Sequence, residues 1–138
     1  MIPRLIAALC AAVLVLTSCA QSAETVPADA QVVVTMKDYS VALNVASVKA
    51  GTIKLAIQNS GTMLHEFELI KTDLAADKLP IDAGSAKAKE DGLVKQVQNI
   101  GVGKVAVATA DLAAGHYVLI CNQPGHYQLG MRAELRVE

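Results

Sequence analysis

From residue 31 onward, apolar side chains recur at every second position. Ile53, Leu55 and Ile57 alternate with Lys54, Ala56 and Gln58; Phe67 and Leu69 alternate with Glu66 and Glu68; Ala133, Leu135 and Val137 alternate with Arg132, Glu134 and Arg136. Successive side chains of an extended chain point to opposite faces, so each run predicts a strand with one face on a core. Residues 31–36, 39–45, 104–109 and 116–121 are further strand candidates, and 93–100 is a weaker one. About seven or eight short strands, parted by turn signals such as Ala50-Gly51 and Ser60-Gly61, predict an all-β fold. The architecture expected is an antiparallel Greek-key sandwich.

Two segments depart from plain alternation. In residues 71–92 the rhythm breaks: Asp73 is placed to cap a short helix over residues 74–78, Pro80 and Ile81 end it, and an Ala/Lys/Glu-rich stretch follows. This predicts a partly helical insertion over one sheet edge. Residues 111–117, Asp-Leu-Ala-Ala-Gly-His-Tyr, have the form of a tyrosine corner, in which the Tyr117 hydroxyl bonds back to nearby backbone. With Tyr117 inward, parity puts Leu119 and Cys121 on the core face, and His116, Val118 and Ile120 on the other.

The first residues follow neither pattern. Arg4 precedes an unbroken apolar run over residues 5–16, then Thr17, Ser18 and Cys19. As a helix this run spans about 18 Å against a hydrocarbon core of roughly 30 Å, too short for a membrane span. It predicts a secretory leader over residues 1–18. Leu16-Thr17-Ser18-Cys19 also resembles a bacterial lipobox, in which Cys19 is lipidated; plain cleavage near Ala20 or Ala23 is the alternative. Residues 19–30, Ala-rich, aperiodic and holding Pro27, are expected to form a flexible tether, leaving 31–138 as the domain.

Composition removes several function classes. Twelve Lys and Arg face thirteen Asp and Glu, for a net charge of -1, and aromatic residues are 3%. A chain without basic excess or an aromatic stripe is a poor nucleic-acid binder. Three cysteines are present, of which Cys10 lies in the leader and Cys19 at the proposed anchor. Cys121 is then alone in the domain, which excludes a disulfide framework. Metal coordination or burial as a small hydrophobe would protect such a thiol in an oxidising compartment.

Candidate chemistry gathers around that cysteine. In residues 121–131, Cys-Asn-Gln-Pro-Gly-His-Tyr-Gln-Leu-Gly-Met, a thiol, an imidazole and a thioether recur at intervals of five, with Pro124, Gly125 and Gly130 able to fold the loop tightly. A second imidazole, His65, opens the strand that carries Phe67 and Leu69. Two His, one Cys and a weak Met form the ligand set of a blue-copper site. Soft sulfur suits Cu(I) and imidazole tolerates Cu(II), while zinc would accept the same atoms. His116 precedes Cys121 by about 16 Å of extended chain and should not be a ligand.

On these residues the chain resembles the cupredoxins. The Cys-to-His-to-Met spacing is most similar to the auracyanin, rusticyanin and sulfocyanin branch, and the likeness runs over residues 31–138. The resemblance implies one copper per chain, with His65, Cys121 and His126 in the trigonal plane and Met131 as the distant axial ligand. In azurin and plastocyanin an Asn follows the first ligand His and ties the two ligand-bearing segments. Here the position is Glu66, which puts that tie in doubt.

The expected role is that of a one-electron carrier outside the cytoplasm, periplasmic or at the cell surface, held to a membrane only through a lipid on Cys19. A monomer with weak, transient redox partners is expected. Electrons would pass through the edge of His126, with Met63, Pro124, Tyr127 and Leu129 as an apolar docking rim. Copper storage, delivery or sensing is the alternative. Enzyme readings lose their parts: His65, His116 and His126 are too few for a second copper centre, and no Gly-X-Ser-X-Gly elbow or phosphate-binding loop is present.

Overall fold

The computed structural model describes residues 24–138. The expected leader, Cys19 and residues 20–23 lie outside the described residues. The elements run in the order β1 (Val32–Lys37), β2 (Ser40–Leu43), β3 (Ser47–Val48), β4 (Gly51–Asn59), β5 (His65–Lys71), β6 (Ile81–Asp82), β7 (Lys87–Ala88), β8 (Leu93–Ile100), β9 (Val105–Leu112), β10 (Gly115–Ile120), α1 (His126–Leu129) and β11 (Arg132–Val137).

Two sheets form a Greek-key sandwich, one ordered β2-β1-β4-β9 and the other β3-β11-β10-β5-β8. The sheets are mixed where antiparallel pairing was expected. β1 pairs parallel with β4, Val34 opposite Ile57, and β11 pairs parallel with β3. The chain makes the hairpin β1-β2, crosses to the other sheet as β3, and returns beside β1, so the crossover is supplied without a helix.

The alternating residues meet between the sheets. Val32, Val34, Met36, Ile53, Leu55 and Ile57 from one sheet pack against Phe67, Leu69, Tyr117, Leu119 and Leu135 from the other. Each fully buried large side chain of this kind stabilises the fold by about 1.5–3 kcal/mol. Cys121 and Met131 belong to the same core. The Tyr117 hydroxyl donates to the Ala113 carbonyl at 2.8 Å, completing the tyrosine corner.

The insertion differs from expectation. Residues 74–78 form turns, not a helix, and the segment holds only the short ribbon β6-β7. Main-chain groups that a helix would use are taken elsewhere: the Ala76 N–H donates to Glu134 Oε1 at 2.9 Å, and its carbonyl accepts the Tyr127 hydroxyl at 2.8 Å. Tertiary bonds override local propensity here. The insertion lays Leu79 and Ala88 over Ile70, Val118, Ile120 and Tyr127, on the side of the sheet away from the main core. β5 is therefore covered on both faces, and Glu66 and Glu68 are buried beneath the insertion.

The described part of the expected tether is bonded to the sandwich. The Glu24 carboxylate accepts from Lys104 Nζ at 3.0 Å and from the Val105 N–H at 2.9 Å, and Asp29 pairs with Lys54 at 2.7 Å. No helix among the described residues is long and apolar enough to cross a membrane.

Candidate metal centre

Asn59, fully buried at the end of β4, shapes the turn that delivers the first imidazole. Its amide donates to the carbonyls of Met63 and Ile100, both at 2.8 Å, and its carbonyl accepts from the Gly61 N–H at 2.9 Å. Two of these bonds fold residues 60–64 and the third ties the turn to the end of β8, and β5 begins with His65 facing inward.

The second segment leaves β10 at Cys121 and returns at β11. Left-handed Gly125 and Gly130, at φ of 82° and 121°, bracket the single turn of α1, which begins at His126. The Cys121 N–H donates to the Met131 carbonyl and the Met131 N–H to the His126 carbonyl, each at 3.1 Å. The loop is therefore cross-bonded at all three of its sulfur and imidazole positions.

The two segments meet at one point. Cys121 Sγ lies 3.7 Å from His65 Nδ1 and 3.4 Å from His126 Nδ1, and the rings stand 5.5 Å apart at 69°. All three donor atoms lie within 4.8 Å of one another. An ion bonded to nitrogen at about 2.0 Å and sulfur at about 2.3 Å would see the sulfur and each nitrogen roughly 100–120° apart. The residues fit a trigonal or tetrahedral metal. A soft thiolate with two imidazoles is the donor chemistry of copper or zinc, and this set with a methionine on the same loop is that of a type 1 copper site.

The electrostatics suit a site completed by its cation. Burial pushes the Cys121 thiol up, against the opposing effect of the Glu66 N–H, which donates to the sulfur at 3.4 Å. The charge of a bound metal is what would release that proton. Burial, and then the neighbouring His126, push His65 down, so its ring is neutral with a lone pair available. His65 and Cys121 are fully buried, while His126 is partly exposed.

The tie questioned at Glu66 exists, in another form. The main-chain N–H at that position reaches the sulfur whatever its side chain, while the Glu66 carboxylate turns away to accept from Gln96 at 2.7 Å and to face Lys87 at 3.5 Å. The side-chain tie is made by Asn122, which donates to Glu68 of β5 at 3.1 Å and exchanges bonds with Ala88, accepting from its N–H at 2.8 Å and donating to its carbonyl at 3.1 Å. The Gly125 N–H also donates to the Ala86 carbonyl at 2.9 Å. Sequence reading missed Asn122, although its position directly after Cys121 was a signal. It also missed Asp38 and Tyr39, which no spacing relates to the ligands.

The remaining predicted residues divide between core and surface. Met131 is fully buried in the core, and Met63 is half-buried with its carbonyl on Asn59. Pro124 and Leu129 are exposed, the latter by 59%. Tyr127 is not a rim residue: it is buried, and its hydroxyl donates to Ala76 and accepts from the Leu79 N–H at 2.9 Å. Tyr39 and Leu64 are exposed on the segments next to the imidazoles, and the Tyr39 ring meets His126 edge-on at 5.8 Å. His116 bonds the Thr72 carbonyl at 2.7 Å, apart from the ligands.

Known proteins share this fold. A reduced auracyanin from Roseiflexus castenholzii is 22% identical, covering 77% of this chain and 94% of its own, with a TM-score of 0.58. Rusticyanin from Thiobacillus ferrooxidans is 19% identical over 78% of this chain and 75% of its own, at 0.61. Auracyanin A from Chloroflexus aurantiacus, described as a "blue" copper protein, is 22% identical over 77% and 99%, at 0.54. These likenesses establish the fold. No curated protein sequence matches the chain. The family model described as "Cupredoxin-like domain" matches residues 6–135, and by that span the chain belongs to the cupredoxin-like family.

Proposed function

We propose that this chain is a mononuclear type 1 copper protein that carries single electrons outside the cytoplasm. The observation that carries the reading is the convergence of His65 Nδ1 and His126 Nδ1 on the Cys121 sulfur at a pole where only His126 reaches solvent. Copper, when bound, supplies the one-electron couple. His65, Cys121 and His126 would hold it, and the Met131 thioether on the same loop would supply a weak fourth donor. The cross-bonded loop, clasped by the insertion through Asn122 and Gly125, resists rearrangement between oxidation states.

Pro124 and Leu129, with Met63 at the edge, offer apolar surface around His126 for weak, short-lived redox partners. Membership of a family of small one-copper domains, and the lack of further imidazoles near this site among the described residues, favour a carrier over an enzyme. The leader and the lipobox-like Cys19 support export and a lipid anchor, which mass spectrometry of the native N-terminus tests.

The central test is addition of Cu(II) to the metal-free protein. Uptake of one copper with an intense thiolate-to-copper band, bleached reversibly by ascorbate, is expected. Cys121→Ser should abolish the band while the sandwich stays folded, because a hydroxyl is a poor soft ligand. Rapid loss of copper to a chelator without a reversible redox cycle would favour storage or delivery instead.

A further inference from the structure

Asp38 and Tyr39 form the two-residue turn between β1 and β2, closed by the Lys37 and Ser40 pair, with Tyr39 at a φ of 67°. This single turn addresses both imidazoles. Tyr39 lies against His126, and Asp38 Oδ1 lies 3.3 Å from His65 Nε2.

His65 Nε2 is fully buried and has no aligned hydrogen-bond partner among the described residues; the Asp38 oxygen is within reach but out of line. A ring that offers Nδ1 to a metal carries its proton on Nε2, and a buried N–H without an acceptor is costly. The Asp38 carboxylate is fixed beside this nitrogen by Thr62. The Thr62 N–H donates to both carboxylate oxygens, at 3.0 and 2.9 Å, and the Thr62 hydroxyl donates to one of them.

Gly61 keeps the approach open. A Cβ on this residue would lie 2.9 Å from His65 Nε2 and 3.0 Å from the Asp38 main-chain nitrogen, and would strike the Asp38 carboxylate. Any side chain here would wedge apart the carboxylate and the imidazole.

We propose that Asp38 is a positioning residue of the metal centre. Its carboxylate accepts a hydrogen bond from the Nε2–H of His65, holds the ring in the tautomer whose Nδ1 faces Cys121, and through its negative charge favours the more positive state of a bound metal. The redox half of this inference rests on the copper reading above; the tautomer half does not.

The test uses the full domain with and without copper. Asp38→Asn keeps the shape and an acceptor for the Thr62 N–H but drops the charge. Its preference for Cu(II) over Cu(I) should fall about ten- to hundredfold, a rise in potential of roughly 59 mV per factor of ten. Thr62→Ala, which loosens the turn but keeps the carboxylate, should change that preference less than about threefold. Gly61→Ala should shift the potential in the same direction as Asp38→Asn and serves if the latter does not fold.

An unchanged potential in Asp38→Asn, or an equal shift in Thr62→Ala, would overturn the proposal. In the metal-free protein, ring nitrogen spectra of labelled histidine should show His65 protonated at Nε2, with that preference lost in Asp38→Ala. No difference between the two would also overturn it. A wild-type protein that takes up no coloured copper would sink the carrier reading alone, and the ring spectra would then decide on Asp38.

Discussion

The Asn122 side-chain amide donates to the Glu68 carboxylate at 3.1 Å, joining the residue after the sulfur ligand to the strand that opens with His65. Asn122 is fully buried and also bonds both main-chain groups of Ala88. Truncation to alanine strands these buried groups, so Asn122→Ala should destabilise the metal-free domain by about 2–4 kcal/mol. Urea denaturation measures the loss.

Glu68 should make stability fall as pH rises. Its carboxyl is pushed up to about 7, first by burial and then by the Glu90 carboxylate, which together outweigh the donors on Gln96 and Asn122. The ordinary value is 4.5, so between that pH and about 7 the folded chain holds a proton that the unfolded chain has lost. The stabilisation is fully present below 4.5 and is lost through that window as the carboxyl ionises. Glu68→Gln should flatten this slope and be the more stable protein at pH 8 by about 1–3 kcal/mol. Comparing urea midpoints of the two proteins from pH 5 to 8 isolates the contribution; parallel curves would refute it.

Met131→Leu should keep copper bound and raise its potential, because the thioether proposed as a weak donor is replaced by a side chain that cannot donate. The swap conserves volume in the core and should cost less than about 1.5 kcal/mol. Voltammetry decides: a potential equal to that of the parent removes Met131 from the coordination shell.

Tyr127 and Leu129 lie two residues apart and should behave oppositely. Tyr127→Phe strands the Leu79 N–H and the Ala76 carbonyl, destabilising the domain by about 1–3 kcal/mol with no change in electron exchange. Leu129→Glu alters an exposed residue, so stability should move by less than about 0.5 kcal/mol while exchange with a redox partner slows several-fold. Denaturation and stopped-flow mixing separate the two effects.

His65, Cys121 and Met131 were legible because each stands at a strand end whose register the period-two pattern sets, and His126 because it lies midway between two of them. His65 begins β5, Cys121 follows β10, and the glycines of the loop marked its tight return. Tyr117 was legible through its corner. The supports of the site were not: Asn122 meets Ala88 across 34 positions, and such a pairing leaves no local spacing to read. β3, with two residues, is too short to show a period, so its parallel pairing was hidden. Glu66 and Glu68 sit at outward positions and read as solvated until the insertion is folded over them.

Of the two imidazoles, one is sealed inside the sandwich and the other touches water. If charge passes only where an imidazole meets water, the centre cannot take it in on one flank while discharging on the opposite flank. Donor and acceptor would have to visit the same spot in turn, so this domain would act as a shuttle that alternates between them and not as a fixed wire bridging both at once.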